Sequence, residues 1–141
     1  MRASLLGIGL VLAGVALAPT AEAQESPQPG TIVVSYFKCS FADLDEAVAM
    51  INAEPREVAQ ALVAEGRLID HGILTHAWGD EWNLIQYFVA ADLESFHAAW
   101  GEWARRMDEQ DPDGEMSDRF FGLCPEHKDN IYDVVGPPDG M

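Results

Sequence analysis

Along residues 31–135 the spacing of apolar residues switches repeatedly between strand alternation and helical periodicity, and the order of those switches constrains the fold more than any motif. Thr31–Cys39 (TIVVSYFKC) is β-branched and aromatic with no internal breaker, which predicts a strand; its apolar residues fall on both faces, as in a central strand covered on both sides. Asp43 followed by Glu46 resembles a capping box and places a helix start at Leu44. Pro55 fits the first position of a second helical segment, Pro55–Glu65, with Val58, Ala61, Leu62 and Ala64 as the candidates for its buried stripe and Gly66 as the left-handed stop. Arg67–Trp78 and Trp82–Ala90 are strand-like runs joined by Gly79-Asp80-Glu81 as a hairpin loop. With that three-residue loop, the preferred version, Trp78 faces Trp82 and His76 pairs with Leu84; a two-residue turn would pair His76 with Asn83. Asp92 caps a helix over Leu93–Gln110, whose Leu93, Phe96, Trp100, Trp103 and Met107 form one apolar stripe expected in the core. After the Asp111-Pro112-Asp113-Gly114 break come a short helical turn, Glu115–Leu123, and a last strand, Asn130–Val135.

The resulting order β-α-β-β-α-β is that of the α+β ferredoxin-like plait, a sheet with both helices on one face. The hairpin strands carry apolar residues both ways: Leu74, Trp78, Leu84 and Phe88 on one face, Ile73, Ile85, Tyr87 and Val89 on the other. Helices cover one face only, so the other calls for a second subunit, and a homodimer is expected. In element order and facing, Thr31–Val135 resembles the dimeric α/β-barrel superfamily, in which two such sheets close into a barrel. The run His76-Ala77-Trp78-Gly79-Asp80-Glu81-Trp82-Asn83 is similar to that of small exported proteins of this type. The superfamily includes cofactor-free monooxygenases, haem proteins and binding proteins, so the resemblance implies a fold and selects no activity.

Outside the domain, Arg2, the apolar run Ala3–Ala18 and the triplet Ala21-Glu22-Ala23 read as a secretory signal peptide over 1–23, cleaved before Gln24. A polar leader over 24–30 and a tail over 136–141 flank the domain 31–135. Export to the periplasm or beyond is the expected localisation. The formal net charge of −16 repels nucleic-acid phosphates and anionic lipid, leaving neither as an expected partner; it favours solubility, a cationic or neutral ligand, or a salty habitat, which composition does not separate.

In an oxidising compartment the two cysteines, Cys39 and Cys124, are expected to form a disulfide. The alternative takes Cys124-Pro125-Glu126-His127 as a half-site that binds zinc with Cys39, with or without His76; a haem reading of Cys-Pro with a nearby His is weaker still, and no cofactor is predicted. The plait brings Cys39, Cys124, His127, His76, Trp78, Trp82 and Asn83 to one end of the sheet. There His76, Trp78, Trp82, Asn83 and His127 are the candidate ligand contacts: aromatic walls, titratable rings and an amide suit a small, partly apolar molecule at the barrel mouth. Two other readings stand beside this one. A cofactor-independent oxygenase would use His76 as acid/base and Asn83 to orient substrate, whereas an interaction module would bury the tryptophans at a subunit contact. The acidic stretch Asp108–Glu115 lacks the donor pattern of a calcium loop, and no phosphate loop or nucleophile elbow is present.

Overall fold

Strand Thr31–Lys38 (β1) runs up the middle of a sheet because its side chains alternate between buried and half-buried along its whole length. The computed structural model describes residues 30–76 and 78–134; residues 1–29, Ala77 and residues 135–141, where the sequence leads one to expect a signal peptide, a leader and a tail, lie outside the described residues. After β1 come helices α1 (Leu44–Ile51) and α2 (Glu54–Ala64), strands β2 (Asp70–Thr75) and β3 (Leu84–Ala90), helices α3 (Leu93–Gln110) and α4 (Glu115–Leu123), and strand β4 (Glu126–Asp133). The four strands form one antiparallel sheet in the order β2-β3-β1-β4 with the helices packed on one face, the α+β ferredoxin-like arrangement.

Local chemistry explains most boundaries. The Asp92 carboxylate accepts the Ser95 N–H at 2.7 Å and starts α3; a cap of this kind contributes about 1 kcal/mol. Gly66 ends the α2 region at φ 73°, a conformation that costs a side-chain-bearing residue. Asp43 makes no side-chain cap bond, so the expected capping box does not form, and Pro55 lies one residue inside α2. A two-pronged ion pair ties α2 to α3: Arg106 donates to both Glu65 oxygens at 2.9 Å while also holding Glu102 at 2.8 Å. Hydrogen bonds from Arg105 and Arg106 hold the Glu102 carboxyl down to about 2.

The hairpin departs from expectation. Thr75 pairs with Leu84 and Leu74 with Ile85, so the register is that of the two-residue alternative, not of the preferred three-residue loop. Pairing stops at Thr75, and residues 76–83 form a longer connection. A one-residue slip turns every side chain over. Leu74 therefore lies with Ile85, Tyr87 and Val89 on the helix-free face, and Ile73 joins Leu84 and Phe88 beneath the helices. Gly72 belongs to this register: a Cβ there would collide with the Tyr87 ring and hydroxyl, so glycine lets that ring lie flat across the strand. The last strand also begins earlier than expected, at Glu126. As an edge strand it tolerates the charged run Glu126–Asp129, and Lys38 pairs with Glu126 at 3.0 Å.

Two apolar clusters fill the space under the helices. One gathers Val33, Leu62, Leu68, Phe88, Phe96 and Ala99; the other gathers Phe37, Ala47, Ile51, Leu84 and the Cys39–Cys124 disulfide. Their separation along the strands is the structural fact on which the site depends.

Candidate functional site

The end of the sheet where β1 finishes does collect the residues singled out above, but it gives them different jobs. Cys39 and Cys124 are bridged, with Cα atoms 3.9 Å apart. Both sulfurs are thereby consumed, and among the described residues no group of three His, Cys, Asp or Glu has metal-binding geometry. Asn83 is buried, with 1% exposure, and its amide closes a ring on one residue: Oδ1 accepts the Cys39 N–H and Nδ2 donates to the Cys39 carbonyl, both at 2.9 Å. Its hydrogen-bonding capacity goes into backbone that would otherwise be orphaned. Trp78 stands 95% exposed. Trp82 lies under the Lys128 ammonium, 4.4 Å from its ring, a cation–π contact on the helix-free face. His76 has Nε2 3.6 Å from Asp80, too long for a hydrogen bond. These residues share a neighbourhood without converging on a common point.

His127 is the exception. It pairs with Phe37 across β1 and β4, sits 6.1 Å from the Phe37 ring and 5.3 Å from the Phe121 ring, and lines a cavity of about 300 Å³ between sheet and helices. The cavity falls between the two apolar clusters. Its floor is a row running across three strands in register, Gln86 on β3, Ser35 on β1 and Asp129 on β4. Its walls are Trp100 and Trp103 of α3, stacked 4.8 Å apart, together with Phe120 and Phe121 of α4 and methionines such as Met107. Trp100, expected in the sealed core, is 40% exposed and forms part of this wall.

Gln86 and Ser35 are 5% and 7% exposed, which makes a polar floor costly unless it finds partners. The Gln86 amide nitrogen donates to His71 Nε2 at 3.0 Å. His71 packs 4.9 Å from the Phe88 ring; burial, reinforced by the Arg56 charge, lowers it to about 4 and keeps it neutral. Among the described residues no protein hydrogen bond engages the Ser35 hydroxyl or Gln86 Oε1, and neither atom is sealed off as His71 Nδ1 is. Both therefore open on the cavity. Sequence reading missed this row; its signal was a polar residue at an inward position of each central strand, in TIVVSYFK and LIQYFVA.

A larger groove of about 570 Å³ lies between the end of α2 and the start of α3. The polar side chains lining it are Arg67, already near Glu65 at 3.5 Å, and Ser95, so it lacks convergent chemistry. On the helix-free face Tyr36 and Tyr132 share a hydrogen bond of 3.2 Å, and Asn130 donates to the Tyr132 oxygen at 3.0 Å. These bonds hold the Tyr132 phenol below its ordinary range and push Tyr36 above it.

No protein-family model matches the chain, and no curated protein sequence matches it. Solved structures do. A dimeric ferredoxin-like protein from an uncultured marine organism superposes with a TM-score of 0.64 at 11% identity, covering 85% of this chain and 100% of that one. A NIPSNAP domain protein from Burkholderia xenovorans gives 0.57 at 10% identity over 79% of this chain and 98% of that one. A monooxygenase from Streptomyces coelicolor, solved with the ligand nanaomycin D, gives 0.55 at 15% identity over 80% and 94%. At these identities the likeness speaks for architecture alone. By that architecture the chain is a ferredoxin-like α+β protein, sharing its fold with these solved structures.

Proposed function

We propose that this is an exported, homodimeric α/β-barrel protein that binds a small, partly apolar molecule in the cavity between its sheet and its helices. The observation that carries the reading is the split core. A continuous apolar interior would be the more stable filling, yet the inward row Gln86–Ser35–Asp129 is polar and faces aromatic walls across about 300 Å³. Such a volume, with a few placed polar groups, is the usual composition of a small-molecule site. The site differs from the barrel-mouth cluster anticipated from sequence, with His127 common to both. That a structural neighbour is a monooxygenase solved with a ligand supports a binding role for this architecture.

Export is supported by the signal-peptide reading and by a disulfide that an oxidising compartment would maintain. Dimerisation is supported by the helix-free face, where Ile32, Val34, Ile85 and Tyr87 are half-buried and Leu74 is 53% exposed, and by a neighbour described as dimeric. The test of the binding role is an NMR screen of aromatic fragments against the purified protein. Binding in the cavity shifts the backbone amides of Ser35 and Gln86 and the Trp103 indole. If the shifts instead cluster at His76 and Trp78, or no fragment moves the cavity, the reading is wrong. Light scattering at micromolar concentration reports the dimer as twice the chain mass, and a compact monomer overturns that part.

A further inference from the structure

Resting on that reading, we propose that the cavity selects a protonated amine carried on an aromatic or similarly flat apolar body. Three features lead there. First, the floor offers acceptors. The Gln86 nitrogen is committed to His71 at 3.0 Å, which leaves its carbonyl oxygen facing the cavity; Ser35 adds a hydroxyl oxygen and Asp129 a carboxylate in the same register row. An ammonium is a pure donor with three N–H groups and matches such a row, whereas a carboxylate or phosphate meets repulsion from it. Second, a second carboxylate, Asp108 of α3, lies on the opposite wall, and among the described residues no Lys or Arg lines the cavity. The basic side chain among the lining residues is His127, whose ring is stacked against Phe37. Third, the walls are aromatic faces, Trp100 and Trp103 foremost, which attract a cation as well as cover an apolar body. The net charge of −16 adds a long-range field that concentrates cations around the molecule.

The acceptor row is a consequence of register. Gln86 pairs with Ser35, and Ser35 with Asp129, so the three oxygens come from neighbouring strands at one level of the sheet. His71 acts as a positioning residue, since its bond fixes which end of the Gln86 amide is left for the ligand.

The experiment compares three probes of one shape by isothermal titration calorimetry at neutral pH and low salt: 2-phenylethylamine, 2-phenylethanol and phenylacetate. The ammonium probe should bind at least about tenfold more tightly than the alcohol, and phenylacetate should show no saturable heat. Asp129→Asn, on an exposed edge strand where folding tolerates change, should bring amine and alcohol to within about threefold. Parallel NMR titration should place the bound amine at Ser35 and Gln86. If the alcohol or phenylacetate equals or exceeds the amine while still shifting those residues, the charge assignment fails and the cavity reading survives. If all three leave the cavity residues unmoved, both fail. Full retention of the amine preference in Asp129→Asn also overturns the assignment.

Discussion

Replacing Asn83 with alanine separates a structural amide from a ligand-binding one. In the folded protein this side chain satisfies both backbone groups of Cys39, a residue itself only 5% exposed. Removing it orphans one N–H and one carbonyl, each costing about 1–3 kcal/mol when buried. Water entering at the end of the sheet moderates the sum, and we expect a loss of about 3 kcal/mol. With a urea m-value of about 1.3 kcal/mol per molar, that loss lowers the unfolding midpoint by about 2 M, measured with the disulfide intact. Asn83→Asp should be at least as damaging at neutral pH, because it keeps an acceptor, loses the donor and buries a carboxylate. Its deficit relative to the parent protein should shrink as acid restores the donor. A loss below about 1 kcal/mol in Asn83→Ala refutes the structural assignment. Weakened fragment binding at unchanged stability would return Asn83 to the ligand.

Replacing Cys39 and Cys124 together with serine releases a crosslink spanning 85 residues, worth up to about 4.5 kcal/mol in the chain-entropy model; a urea midpoint unchanged by the substitution or by reductant would contradict this. Because Asn83 and the bridge hold the same residue, their losses should combine non-additively in a double-mutant cycle. Burial lowers His71 in the folded protein to about 4, against about 6.5 in the unfolded chain, so the unfolded state binds the extra proton between those values. Stability on this account is complete above about pH 6.5 and declines toward pH 4. The partial exposure of the ring discounts the loss to about 1–2 kcal/mol. Urea titrations across that window should show a shallower decline for His71→Gln, and an unchanged slope would dismiss the assignment.

The plait was legible because its elements carry strong local signals. The Asp92 cap and the bounds of Leu93–Gln110 follow from hydrogen bonding and periodicity within one stretch of chain. Sheet order followed from element order. Register did not. Trp78 and Trp82 looked like a cross-strand pair, but Asn83 is drawn to the Cys39 backbone and Trp82 to Lys128, so the ladder closes at Thr75 and Leu84. Neither competitor is close in sequence to the turn. The cavity was hidden for the same reason. Ser35, Gln86 and Asp129 are unremarkable within their own strands, and only the pairing of three distant segments lines them up.

The division of the interior into two apolar clusters with a polar row between them has an evolutionary consequence. Val33 and Phe88 belong to one cluster, Phe37 and Leu84 to the other, while Ser35 and Gln86 alternate between them on the same strands. Exchanging the middle residues removes little of the burial that holds the molecule together, so under the proposed binding role the ligand can change while the scaffold stays folded. The solved structures that share this plait at 10–15% identity show how little sequence the scaffold itself requires, which leaves such inward strand positions free to vary.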